Sequence, residues 1–336
     1  MMEIEKWLND VLEKKNKRAM PIITFPAATK LNISVKKLIN DTDQQVAALK
    51  IIKEECNPLA ILGFMDLSVE AECFGAEIKV TDNEVPTVVG QLIEDEDDAQ
   101  ALKVPAVGSG RSQLYIDAIK KTKAEIKDIP ILGGCIGPFS LAGRLMDVSE
   151  AMINCYEEPE MVHIVLEKAT KFLIDYISAY KEAGADGILM AEPLAGVLSP
   201  VLATEFSSTY VKKIVTVQDE NFMVVYHNCG NKTLKMIDDF KEIKARAYHF
   251  GNAINIKKML ELMPKDCLVM GNIDPVEIIS NGTPETIKEI TLNLLKECKD
   301  YRNFIISSGC DIPPLAPWKN IKAFMEVCEN YYENDS

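Results

Sequence analysis

Residues 222–231 read FMVVYHNCGN: an apolar, β-branched run that breaks at His227-Asn228-Cys229-Gly230 into polar and turn-forming residues. A run this short and this apolar on both faces is what a strand inside a helix-covered parallel sheet requires. The pattern recurs along the chain. Runs at 20–25, 59–64, 129–134, 187–191, 247–250, 268–271 and 303–308 share it, and with 222–227 they number eight. Between them lie stretches of helical period at 42–55, 113–126, 159–183, 203–217, 233–241, 256–263 and 284–299. Repeated strand-then-helix units without a linker-like tract predict an α/β fold, a (β/α)8 TIM barrel forming one domain over residues 1–336.

Two additions decorate that plan. Residues 1–18 place Ile4, Trp7, Leu8, Val11 and Leu12 on one helical face and end in a basic cluster at 14–18, the pattern of an amphipathic helix lying on a core. Residues 77–93, EIKVTDNEVPTVVGQLI, put two β-prone runs around Thr81-Asp82-Asn83-Glu84 and predict a hairpin inserted after the second strand. From there it would project beside the C-terminal ends of the strands, either as part of a lid or docking surface or as solvent-facing decoration.

Composition narrows the function classes. The 336 residues are 47% hydrophobic and 26% charged, and 37 Lys plus Arg against 51 Asp plus Glu give a net charge of −14. That balance opposes neutralising a phosphate backbone or an anionic membrane surface, so neither nucleic acid nor membrane is an expected partner. No stretch reaches the roughly 18–20 apolar residues needed to span a bilayer, and the start MMEIEKWLNDVLEKK is charged throughout. Nine cysteines without a CxxC read as reduced thiols of a cytoplasmic protein.

Barrel chemistry gathers where strands end, and these ends are polar. The second run is followed by Asp66 and Glu70, the fourth by Glu192-Pro193, and the fifth ends in His227-Asn228-Cys229-Gly230. The sixth leads to Gly251-Asn252, the seventh to Asn272-Ile273-Asp274-Pro275, and the eighth to Gly309-Cys310-Asp311. Loops on one rim converge over the axis, so His227, Cys229 and Cys310 can share a site although the two cysteines are 81 positions apart. Imidazole nitrogen and thiolate sulfur suit a borderline-soft cation such as Zn²⁺, and three protein ligands leave a fourth position for substrate. On spacing alone, a metal centre and a buried Cys beside a hydrogen-bonded His both stand. His249 follows the sixth run, and His163 lies in a helical stretch.

The segments HNCGN (227–231), GNIDP (271–275) and SGCDIPP (308–314), with GGCIGPF (133–139) and EAGADGI (182–188), resemble the uroporphyrinogen decarboxylase superfamily over nearly the whole chain. They are most similar to its zinc-dependent methylcobamide:thiol methyltransferase branch. The resemblance implies zinc held by His227, Cys229 and Cys310. It gives Glu192 the place of an acidic residue able to fill the open zinc position or to accept a thiol proton. Asp66 resembles the aspartate that binds pyrrole NH groups in the decarboxylases, and a carboxylate there could read an NH-bearing ligand such as a pterin or a corrin amide. Asn252, Asn272 and Asp274 would shape the pocket and support the ligands from behind.

The arginine-rich loop with which the decarboxylases grip their substrate is replaced by Phe25-Pro26-Ala27-Ala28-Thr29-Lys30, and the chain has only five arginines. Bidentate recognition of many carboxylates needs more, so uroporphyrinogen decarboxylation is disfavoured. The expectation is a methyltransferase that uses a methylcorrinoid, carried by a separate corrinoid protein, as co-substrate and a zinc-activated thiol such as coenzyme M as acceptor. Demethylation of a small donor onto Co(I) corrinoid, use of tetrahydrofolate, and a non-catalytic tetrapyrrole- or corrinoid-binding protein are the alternatives.

Overall fold

A computed structural model describes residues 2–13 and 17–334. Three residues of the basic cluster, 14–16, therefore lie outside the described residues. The strands, in chain order, are β1 (Ile61–Leu62), β2 (Glu77–Lys79), β3 (Thr87–Val89), β4 (Ile131–Ile136), β5 (Gly187–Ala191), β6 (Met223–Asn228), β7 (Ala247–Phe250), β8 (Leu268–Ile273) and β9 (Phe304–Ser308). Seven form a parallel sheet in the order β1-β4-β5-β6-β7-β8-β9, while β2 and β3 pair antiparallel with Glu77 opposite Val89.

Residues 20–25 complete the barrel without a strand ladder. Met20 N–H donates to Ile306 O on the β9 side (3.0 Å), and Leu59 N–H donates to Ala19 O just ahead of β1 (2.9 Å). Pro21 has no N–H, and the Ile22 N–H goes to the Ser308 hydroxyl (3.0 Å), so regular pairing cannot propagate. The eighth stave is thus present but irregular. A second departure is β4, which runs two residues beyond the expected 129–134. Gly133 and Gly134 lie inside the strand because their neighbours press on them: an added Cβ would stand 2.9 Å from the Tyr180 ring at Gly133 and 2.6 Å from the Phe64 carbonyl at Gly134.

The barrel interior and the helix Ile4–Glu13 form one apolar cluster. Ile4, Leu8 and Val11 pack with Met223, Ala247 and Leu268, the first residues of β6, β7 and β8. This helix therefore plugs the end of the barrel where strands begin and leaves the chemistry to the end where they finish. The outer cluster joins the strands to helices such as Thr42–Cys56, Ser112–Glu125 and Pro159–Glu182. The stretch expected as one helix at 203–217 instead contains a wider π-type turn at Thr204–Ser208 before the helix Thr209–Thr216.

Glu70, on the short helix Val69–Phe74, is fully buried in this layer. One carboxyl oxygen accepts from Ile136 N–H (2.9 Å), and the other has no partner. Burial pushes its pKa up to about 8. A carboxyl raised in the fold contributes stability that is complete below its unfolded value near 4.5 and is lost as pH rises through 8. Glu70→Gln should therefore flatten the pH dependence, gaining on the order of 2–4 kcal/mol over the parent at pH 8.5 and little at pH 5. Urea unfolding at both pH values measures this; parallel pH profiles for variant and parent would refute it.

Candidate metal centre

β6 carries the first two ligands. His227 is paired with Ala191 on β5 and His249 on β7. Alternation along an extended chain sends His227 and Cys229 to one side and Asn228 to the other. Asn228 is fully buried; its carboxamide oxygen accepts from Gly230 N–H (3.0 Å) and the Thr233 hydroxyl (3.2 Å), fixing the turn that carries Cys229. Cys310 enters two residues after β9. The His227, Cys229 and Cys310 ligand atoms lie within 4.8 Å of one another, and among the described residues this is the group of metal-binding side chains that converges so closely. The Cys310 Sγ to His227 Nε2 separation is 3.7 Å.

Glycines permit this convergence. A Cβ on Gly251 would stand 2.5 Å from Cys229 Cα, and one on Gly309 would stand 2.7 Å from Asn252 N. The three loops after β6, β7 and β9 thus touch backbone to backbone. The two thiols perturb each other's acidity. The hydrogen bond from Cys310 lowers the Cys229 thiol to about 7 against the opposing effect of burial, while donating that bond, together with burial, raises Cys310 to about 12. A thiol held at lowered pKa beside a second sulfur and an imidazole is a donor set from which a cation would displace protons.

The other expected residues are not among these three converging ligands, although Glu192 N–H donates to the His227 carbonyl (2.9 Å). Glu192 is fully buried at the end of β5, where its oxygens accept from Phe139 N–H (2.8 Å), Ser140 N–H (2.9 Å) and the Ser207 hydroxyl (2.7 Å). It thereby caps the helix Pro138–Met146, and burial raises its pKa despite these donors. Asp66, beyond β1, accepts from Ser68 N–H, the Ser68 hydroxyl, the Tyr115 hydroxyl (2.7 Å) and the Arg111 guanidinium. Reading an NH-bearing ligand would require displacing one of these donors.

Asn252 donates to Asp274 (2.7 Å), whose second oxygen accepts from Val276 and Glu277 N–H, and Asn272 donates to the carbonyls of Gly251 and Ile254 (both 2.9 Å). These three stitch together the loops after β7 and β8, and through Gly309 they brace the loop that carries Cys310.

Sequence reading gave no role to Asn228 or Ser307 and little weight to His249, whose ring contacts His227 (2.8 Å between Nδ1 atoms) and Ser307 (2.7 Å). A polar residue between large apolar ones in a buried strand, as in Ala247-Tyr248-His249-Phe250, was the available signal. Asp311 buries one carboxylate oxygen without a partner beside Cys310. His163 stacks on Phe206 (4.7 Å between centroids) and hydrogen-bonds Tyr210, a packing role on the helix layer. No helix among the described residues is long and apolar enough to cross a membrane, and all nine cysteines are free thiols.

Known proteins of similar sequence include methylcobamide:CoM methyltransferase MtbA of Methanosarcina acetivorans, 31% identical over 79% of this chain and 78% of the relative. Uroporphyrinogen decarboxylase of Coxiella burnetii is 25% identical over 81% of this chain and 77% of its own. In three dimensions, a solved methyltransferase from Methanosarcina mazei superposes with a TM-score of 0.88 over 99% of this chain and all of that one, at 23% identity, which confirms the barrel. Residues 17–331 match the family described as uroporphyrinogen decarboxylase (URO-D), and with this match beside the 31% identical relative the chain belongs to that family.

Proposed function

We propose that this chain is a zinc-dependent methyltransferase that moves a methyl group between a protein-bound methylcorrinoid and a thiol. The observation that carries the reading is the convergence of His227, Cys229 and Cys310 at the strand ends: two soft donors and one borderline donor, a set that in a tetrahedral centre leaves the fourth position to substrate. Bound there, zinc would supply Lewis acidity that lowers the pKa of an incoming thiol. The protein's own contribution is positional. Asn228 and Gly251 hold Cys229 in place, and the Asn252, Asn272 and Asp274 braces hold the Cys310 loop. Both cysteines are only partly buried, so the site is open to substrate.

The names of the similar Methanosarcina proteins support a corrinoid donor and coenzyme M as acceptor. Decarboxylation is the activity named for other relatives, yet the loop at 25–30 has no arginine, and Arg111 is occupied by Asp66 and Glu72. The direction assigned is from methylcorrinoid to thiol, in a cytoplasmic setting with a separate corrinoid protein as partner. Incubating the zinc-loaded chain with methylcobalamin and either coenzyme M or tetrahydrofolate tests this. Loss of methyl-cobalt absorbance with the thiol alone is expected; turnover with neither acceptor, or with tetrahydrofolate only, contradicts it.

A further inference from the structure

Behind His227 runs a chain of polar groups whose hydrogen positions are dictated by its ends. His227 and His249 face each other across β6 and β7, with ring centroids 4.7 Å apart and planes at 70°. Their Nδ1 atoms are 2.8 Å apart, and His227 Nδ1 also lies 3.3 Å from the His249 carbonyl oxygen. His249 Nε2 stands 2.7 Å from the Ser307 hydroxyl, which donates to the Met20 carbonyl at 2.7 Å. Both imidazoles and Ser307 are buried.

Carbonyl oxygens only accept, and that decides the direction. Ser307 has one hydroxyl proton. With that proton donated to the Met20 carbonyl, Ser307 can only accept from His249, so His249 carries its proton on Nε2 and presents a bare Nδ1. His227 must then donate from Nδ1, and the His249 carbonyl beside the same atom independently demands the same proton. A neutral imidazole protonated at Nδ1 has a lone pair at Nε2, the nitrogen that faces Cys310. The opposite arrangement places two lone pairs against each other at the Nδ1 of His227 and asks one serine proton to serve two acceptors.

We propose that His249 is the positioning residue of this centre: with Ser307 and the Met20 carbonyl it locks His227 in the Nδ1–H tautomer and the rotamer that aims Nε2 at the two sulfurs. The proposal rests on the metal reading above. A histidine ligand orienting partner is commonly a carboxylate or a backbone carbonyl. Here a second histidine fills that role, and the chain ends on the irregular stave at 20–25. The metal ligand is thereby tied to the segment that closes the barrel.

The sequence has three histidines, so ring ¹⁵N resonances of the selectively labelled full chain can be assigned by substitution. Long-range ¹H–¹⁵N correlation should show His227 protonated at Nδ1 and His249 at Nε2. Zinc affinity, read by competition with a chromophoric chelator, should fall roughly 10- to 100-fold in His249→Phe. His249→Asn, which keeps an acceptor near the Nδ1 position, should stay within about threefold of the parent, a rescue that a purely packing role would not give. Ser307→Ala, which removes the acceptor of the His249 Nε2–H, should lower zinc affinity roughly three- to tenfold. A proton on Nε2 of His227, or parental zinc affinity in His249→Phe, overturns the proposal. Should His249→Phe fail to fold, parental zinc affinity in Ser307→Ala overturns it instead. A parent chain that binds no zinc defeats the metal reading, while the tautomer measurement still decides the hydrogen-bond chain.

Discussion

Cys310→Ala is expected to yield a folded chain that has lost its stoichiometric zinc and its thiol methylation. Cys310 sits on a partly exposed rim loop outside both apolar clusters, so its loss leaves the core intact. The proposed zinc, by contrast, would lose one of three protein ligands and one of two sulfurs. Zinc–thiolate sites bind with roughly 10–16 kcal/mol shared among a few ligands, so removing one should weaken binding on the order of a thousandfold or more. Elemental analysis of the purified variant, alongside its thermal unfolding, separates loss of metal from loss of fold. One zinc per chain retained in the variant would show that Cys310 is not a ligand.

Arg111→Met should be the costliest single change away from the metal. The Arg111 side chain is 8% exposed and that of its partner Asp66 is 0% exposed. That burial decides the magnitude. An exposed pair contributes about 0–1 kcal/mol, whereas removing one member of a buried pair leaves a charge without compensation and costs about 3–5 kcal/mol. The guanidinium also bonds Ser68 (2.9 Å) and Glu72 (2.8 Å), so packing between the helices Val69–Phe74 and Ser112–Glu125 suffers too. Adding Asp66→Asn to Arg111→Met removes the stranded charge and should recover part of the loss, a coupling of at least 1 kcal/mol in a double-mutant cycle. Additive losses would mean that the pair is solvated and weak.

The parts of the fold set by periodicity were legible. Seven runs became strands of one parallel sheet, and the polar residues after them lie on one rim as the barrel requires. Local chemistry that depends on neighbours far along the chain was not. Pro21 marks an irregular stave only when Ser308 is seen taking the Ile22 N–H. Gly133-Gly134 resembled a strand end, yet the two lie inside β4 because Tyr180 and Phe64 occupy the space of their absent side chains.

The site divides in the same way. His227, Cys229 and Cys310 could be named because ligand chemistry restricts residue type and alternation places His227 and Cys229 on one side. Glu192 was placed at the right strand end, but its engagement with the N-terminus of the helix Pro138–Met146 depends on the packing of β4 against β5. Asp66 carried no sign of Arg111, 45 residues away. His249 was underweighted because its meaning lies in the pairing of β6 with β7, a register that the sequence does not print.

The central claim is that zinc on His227, Cys229 and Cys310 takes a thiol into its open position. X-ray absorption at the zinc edge of the purified chain, recorded before and after adding coenzyme M, addresses it directly. The predicted result is one zinc per chain with two sulfur ligands and one imidazole from the protein, gaining a third sulfur when the thiol is added. Zinc without sulfur ligands, or a sulfur count unchanged by saturating thiol, would contradict the account.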